Sequence, residues 1–260
     1  MKLAISGKGG VGKTTLAAGL ARYFAGCGYR VYAVDADPDA SLGLALGLEP
    51  EATEGIKPIA AMRDLIVART GGDGAFFSLN PEVDDLLDTY SLPLGNILFF
   101  KMGTVKQGGT SCYCRENSIL HALLTALLLR RDEMVILDLG AGIEQLTRGT
   151  ARGVDLLLVV TEPTRVSLKT ARTVSALARD LEIERLCYVG NKVRSAAESA
   201  FLKENLPADQ LLGMLPFNEE EWDRAREGNE HGARDNPLQE AIAAIGTRIL
   251  AVCATRPMGV

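Results

Sequence analysis

The residues best suited to chemistry begin at position 7. Gly7-Lys8-Gly9-Gly10-Val11-Gly12-Lys13-Thr14 fits the pattern G-x-x-x-x-G-K-[ST]. Glycines at this spacing let the backbone turn tightly and aim its N–H groups inward as a nest for an anion. Lys13 places a cation on the β- and γ-phosphates of a nucleotide, and Thr14 offers a hydroxyl to Mg²⁺. An apolar run at 3–6 leads in and a helix-forming run leads out, so a helix N-terminus and its dipole stand behind the phosphates. That context separates a phosphate loop from a chance glycine-rich turn. The expected chemistry is binding and hydrolysis of ATP.

Carboxylates follow where such a site needs them. Asp35-Ala36-Asp37-Pro38-Asp39 ends the second apolar run. In an open α/β sheet, carboxylates at the carboxyl end of a strand lie beside the phosphate loop. Asp35 is expected to support the site near Mg²⁺, and Asp39 reads equally as a solvated turn residue. Val135-Ile136-Leu137-Asp138 is an apolar strand ending in an acid, the Walker B form, with Asp138 holding Mg²⁺ through water. Gly140 or Gly142, just beyond, could offer an N–H to the γ-phosphate. Asn191, at the end of another strand, suits adenine recognition, with a plain turn residue as the alternative.

Five cysteines are present, and Cys112 and Cys114 stand apart from the rest. Their i, i+2 spacing brings two thiols to one side of a short extended loop. Two sulfurs cannot complete a tetrahedral or square-planar shell, whereas a two-fold dimer would supply four. Thiolates select Zn²⁺, Ni²⁺, Cu⁺ or an Fe–S cluster, and geometry alone does not choose among them. Two reduced thiols without a role are the alternative. A disulfide across so short a spacing would be strained. Cys27, Cys187 and Cys253 read as packed, inert thiols. His121 is a conceivable third ligand but reads better as a surface residue, as does His231.

Stepping outward from these residues, short apolar runs at 3–6, 30–35, 97–101, 134–138, 156–161, 186–191 and 211–215 alternate with helical patterns. The helices are expected at 14–27, 56–69, 116–131, 166–181, 196–205, 219–227 and 238–252. Continuous apolar runs suit parallel strands covered on both faces. The order predicts an α/β fold with a single doubly wound, mainly parallel sheet and helices on both faces. One domain over 1–260 is expected, carrying a C-x-C loop near 103–115. Residues 70–74 read as a loop and 80–93 as an irregular excursion.

The bulk composition excludes several classes. At 47% hydrophobic and 23% charged residues, the chain is built to fold rather than to remain disordered. A net charge of −5 gives no global attraction to nucleic acid or an anionic membrane. No apolar run reaches the length of about 18 residues that spans a bilayer. The amino terminus lacks a signal-peptide pattern, and the odd cysteine count does not suggest a disulfide framework. A cytoplasmic protein is expected.

The run Lys8-Gly9-Gly10-Val11-Gly12-Lys13-Thr14-Thr15 resembles the deviant Walker A motif of the SIMIBI ATPases, the class of MinD, ParA and the nitrogenase iron protein. The resemblance implies an ATP-sandwich homodimer in which Lys8 reaches the partner's nucleotide. It implies that Asp37 orients or activates the attacking water. It also implies that Asn191 contacts adenine, with Lys192 beside it, and that Pro216 and Phe217 pack along the base. Leu139-Gly140-Ala141-Gly142 departs from the switch sequence more common in that class.

The stretch Lys106-Gln107-Gly108-Gly109-Thr110-Ser111-Cys112-Tyr113-Cys114-Arg115-Glu116-Asn117 resembles the C-x-C region of CooC-type proteins, nickel-insertion ATPases that mature carbon monoxide dehydrogenase. The likeness extends to Thr161-Glu162-Pro163-Thr164 and Asn191-Lys192. It implies one Ni²⁺ held between two subunits by both cysteine pairs, with Zn²⁺ able to substitute. The implied target is carbon monoxide dehydrogenase or the related acetyl-CoA synthase. Two other readings stay open: an Fe–S carrier or reductase, and a positioning ATPase of the MinD/ParA kind. The second needs a basic surface or tail, and Arg248 is the only cation in the run 238–252.

Overall fold

The computed structural model describes residues 1–37, 41–71, 78–79, 81–103, 114–130, 133–143, 146–217 and 237–254. Eight strands form one sheet: β1 (Lys2–Gly7), β2 (Val31–Ala36), β3 (Leu92–Leu94), β4 (Ile97–Lys101), β5 (Met134–Ala141), β6 (Leu156–Thr161), β7 (Leu186–Val193) and β8 (Leu211–Pro216). Their order is β3-β4-β2-β5-β1-β6-β7-β8. Every pair is parallel except the β3–β4 hairpin at one edge. The chain winds from β1 toward β2 on one side and returns past β1 to β6 on the other. That reversal places a crevice at the carboxyl end of β1, where doubly wound sheets bind ligands.

The helices are α1 (Lys13–Gly26), α2 (Leu42–Ala45), α3 (Pro50–Gly55), α4 (Arg63–Arg69), α5 (Asp84–Tyr90), α6 (Cys114–Thr125), α7 (Arg148–Ala151), α8 (Arg165–Asp180), α9 (Ala196–Asn205) and α10 (Pro237–Ala254). Alternation along the strands splits the core into two layers. Leu3, Ile5, Ala33, Ile136 and Leu158 face Leu16, Leu20 and Phe24 of α1 and Ile242, Ile245 and Ile249 of α10. Ala4, Val34, Val135, Leu137 and Val159 face Ile119 and Leu123 of α6 and Leu168, Ala171 and Val174 of α8. Both faces of the central strands are therefore dry, as their unbroken apolar runs require.

All seven expected strands are present, and the short edge strand β3 is an addition. The region 80–93, expected to be irregular, holds α5 and β3. Only Leu86 and Leu87 of α5 are buried, too few for a visible helical period. The expected helix 56–69 is broken. Pro58 precedes a single 3₁₀ turn, Ile59–Ala61, and α4 starts only at Arg63. Proline restrains the residue before it to extended backbone, which delays the helix. α6 passes into a π-helical turn, Ala126–Arg130. The expected helix 219–227 and most of the loop 103–115 lie outside the described residues.

Among the described residues, α10 is the one helix long and apolar enough to cross a membrane. It packs on β8 and α1, with Leu238, Ile242, Ile245, Gly246 and Ile249 buried. The Arg248 guanidinium donates to the Leu212 carbonyl at 2.6 Å, so its cation is engaged in that packing.

Candidate functional site

The phosphate loop spans the turn from β1 to α1. Gly12 caps α1 with φ +88° and ψ +30°, a left-handed conformation that favours glycine. A Cβ there would stand 2.2 Å from the Asn191 side-chain nitrogen, so the position is closed by contact as well as by dihedral. Gly7, at φ +152°, would bring a Cβ within 2.3 Å of the Val160 carbonyl oxygen. Gly9 and Gly10, by contrast, face open space. No side chain caps the first turn of α1. Its N–H groups are thus offered to a bound anion. Lys13, buried at the first position of α1, folds back so that its ammonium lies 3.4 Å from the Lys8 carbonyl. Val11 is buried, Lys8 half-buried and Thr15 exposed.

The acidic side is equally specific. β5 pairs directly with β1 and β2, and Asp138 stands opposite Ile5 on one strand and Asp35 on the other. The Thr14 hydroxyl donates to Asp138 Oδ2 at 2.7 Å. Asp138 is fully buried, yet its Oδ1 has no hydrogen-bond partner. Asp35, also fully buried, accepts the Leu42 N–H at 2.9 Å and the Asp37 N–H at 3.2 Å. Burial pushes the Asp138 carboxyl up to about 7; Thr14 and Lys13 oppose that rise, and Asp35 and Asp37 add to it. Burial likewise lifts Asp35 to about 6 against its two backbone hydrogen bonds.

A buried carboxylate oxygen left without a partner, beside a threonine hydroxyl, is what a hard divalent cation requires. Mg²⁺ therefore fits these residues. Behind them the Ser6 hydroxyl donates to the Gly142 carbonyl at 2.7 Å, joining β1 to the segment after β5. Gly140 lies inside β5, and Gly142, at φ +107°, turns just past it.

The residues expected on the base side also engage the phosphate loop. Asn191 is buried, its Nδ2 donates to the Val11 carbonyl at 2.7 Å, and its Oδ1 accepts the Lys192 N–H at 2.8 Å. The amide thus holds the phosphate loop, and one of its two N–H groups remains for a base. Lys192 likewise reaches the loop, donating to the Gly10 carbonyl at 2.6 Å and pairing with Glu162 at 2.7 Å. The Phe217 N–H donates to the Val193 carbonyl at 3.0 Å, which sets Pro216 and Phe217 beside this strand end. The Arg194 guanidinium lies 4.2 Å from the Phe217 ring centroid. Ser6 and Arg194 had no signal in the sequence, because each belongs to the site through contacts between segments distant in the chain; Glu162 stood in a run that the likeness included, but its pairing with Lys192 was not legible there.

The sulfur chemistry falls largely elsewhere. Cys112 is outside the described residues, and Cys114 opens α6 with its side chain undescribed. His121 sits seven residues further along α6, about 10 Å along the axis. It shares a hydrogen bond with Thr147 at 3.3 Å, so the structure gives it a partner other than a metal. Among the described residues, no group of three or more His, Cys, Asp or Glu is placed to hold a metal ion. Cys187 is buried and Cys253 half-buried, but Cys27 is exposed at the end of α1, against the expectation of a packed thiol. Asp37 is half-buried at the end of the second strand; Pro38 and Asp39 lie outside the described residues.

Residues 2–230 match the CobQ/CobB/MinD/ParA nucleotide binding domain. The chain belongs to that family. It is 42% identical over 221 residues to the carbon monoxide dehydrogenase accessory protein CooC of Rhodospirillum rubrum, covering 84% of each chain. It is 45% identical over 227 residues to an uncharacterized ATP-binding protein of Methanocaldococcus jannaschii, covering 85% of this chain and 86% of that one. Among solved structures, a chain of the MinC:MinD cell division protein complex from Aquifex aeolicus superposes with a TM-score of 0.67 at 18% identity. That match covers 100% of this chain and 98% of the other. A Pyrococcus horikoshii MinD with Mg-ADP gives 0.66 at 20% identity, covering 98% and 99%. The fold is that of the MinD/ParA ATPases, and the chain is a nucleotide-binding ATPase of the CooC-like group.

Proposed function

We propose that this chain is an ATP-dependent metallochaperone. It binds Ni²⁺ as cargo through Cys112 and Cys114 of two copies and delivers it to carbon monoxide dehydrogenase, or to the related acetyl-CoA synthase, during active-site maturation. The observation that carries the reading is the 42% identity, over 84% of both chains, to a carbon monoxide dehydrogenase accessory protein. The C-x-C pair in this sequence adds to it, because four thiolates from two copies make a complete shell for a soft or borderline metal. The working unit is a homodimer in the cytoplasm, each copy one ATPase domain over 1–260 with its metal loop near 103–115. No membrane or nucleic acid takes part: the net charge is −5, and the apolar face of α10 is spent on β8 and α1.

In this reading Lys13 and the amides of Gly9 to Thr15 hold the phosphates of ATP. Thr14 and Asp138 hold Mg²⁺, with Asp35 behind them; Mg²⁺ when bound neutralises phosphate charge. Asp37 orients the attacking water, and Lys8 reaches the partner's nucleotide. Asn191, Pro216 and Phe217 frame the base side of the site, and Lys192 holds the phosphate loop beside them. The nucleotide state acts on the metal only if the two states of the dimer differ in metal affinity. The test is reconstitution of nickel-free carbon monoxide dehydrogenase with the Ni²⁺-loaded protein. Activity should return with ATP and fail to return with Cys112→Ala/Cys114→Ala. Equal recovery without ATP, or with the double variant, would remove the reading. A brown protein with stoichiometric iron and sulfide would replace it with the Fe–S alternative.

A further inference from the structure

Two successive carbonyls of the phosphate loop are held from outside by two successive residues of β7. Asn191 takes the Val11 carbonyl at 2.7 Å, and Lys192 takes the Gly10 carbonyl at 2.6 Å. In a trans peptide the carbonyl and the following N–H point in opposite directions. No peptide among the described residues is cis. Fixing the Gly10 carbonyl toward β7 therefore turns the Val11 N–H away from β7, toward the hollow of the loop. That N–H has only a long 3.4 Å contact with the Lys8 carbonyl, which a phosphate oxygen could readily replace.

Lys192 is set up for this task by three features. It has φ +57°, one of two non-glycine residues in the left-handed region among those described. The β7–β8 register breaks between Gly190 and Val193, so the strand deforms at this residue. Glu162 pairs with its ammonium at 2.7 Å, with both side chains less than a third exposed. Glu162 is itself fixed at the end of β6, where its N–H donates to the Ser167 hydroxyl of α8 at 3.0 Å. A left-handed lysine is uncommon and persists where its surroundings impose it.

We propose that Lys192, held by Glu162, is a positioning residue that turns the Val11 N–H into the phosphate cradle and does not read the base. The inference rests on the nucleotide site alone and is independent of the metal reading. The test is calorimetric titration of ADP and, separately, inorganic pyrophosphate, with Tm measured for each variant. Lys192→Met should weaken both ligands about tenfold, the scale of one charge-assisted hydrogen bond. Lys192→Arg, which keeps the cation and its donors, should restore both to within about twofold of wild type. Glu162→Gln should weaken both about threefold with an unchanged Tm, and it serves as the readout if Lys192→Met fails to fold. Loss of ADP affinity with pyrophosphate unaffected would make Lys192 a base or ribose contact and overturn the proposal. Unchanged binding of both ligands by Glu162→Gln and Lys192→Met would reduce the pair to a structural ion pair. Wild-type protein binding neither ligand would remove the nucleotide site itself.

Discussion

Asp138 shows how a single buried carboxylate ties stability to function. Its folded pKa of about 7 stands above the unfolded value near 3.8. Between those values the folded protein binds more protons, so stability falls as pH rises through about 4 to 7 and levels off above. Asp138→Asn removes that penalty. The variant should be more stable than wild type at pH 8, by on the order of 2 to 4 kcal/mol, and should lose this advantage near pH 4. Denaturant melts at the two pH values check this, and the variant should have no Mg²⁺-dependent ATPase activity. Affinity for Mg²⁺-nucleotide in the wild type should rise as pH increases toward and past 7, because the cation needs the ionised acid. Gly12 gives a second residue-scale outcome. Gly12→Ala should cost about 1 to 2 kcal/mol for the left-handed backbone alone and abolish ADP binding, because its Cβ would strike Asn191. The loop, Thr14 and Asp138 were legible in the sequence because a strand–loop–helix context and a strand-ending acid are local signals. The engagement of Asn191 and Lys192 with the loop was not, since it depends on how β7 is placed beside β1 and β6.

At the scale of elements, two pieces of packing decide the site's geometry. The first is β5 between β1 and β2, which brings Asp35, Asp138 and Thr14 together. The second is α10 against α1, the helix whose N-terminus faces the phosphates. Tyr23 of α1 shares a hydrogen bond with Thr247 of α10 at 2.9 Å, and Ile245 is buried in the same layer as Leu16 and Leu20. Ile245→Ala should cost about 2 to 5 kcal/mol by opening a cavity there, measured by chemical denaturation. The central strands could be read directly because burial on both faces leaves continuous apolar runs. α5, α2 and β3 could not, since elements of three to seven residues show no period. Pro58 marked the break before α4, but the continuous helical pattern of 56–69 concealed it.

The whole molecule is an acidic α/β ATPase whose nucleotide residues converge at the carboxyl ends of the strands. In the proposed reading its activity depends on a second copy. Lys8→Ala should leave ADP affinity within about threefold of wild type, because the resemblance assigns Lys8 to the partner's nucleotide rather than its own. The same variant should fail to double in mass when ATP is added, as read by light scattering. The most direct test of the metallochaperone account is calorimetric titration of Ni²⁺ into the wild-type protein with and without ATP. The account predicts one Ni²⁺ per two chains and an affinity that differs at least about tenfold between the two states. The same affinity and stoichiometry in both states would contradict it.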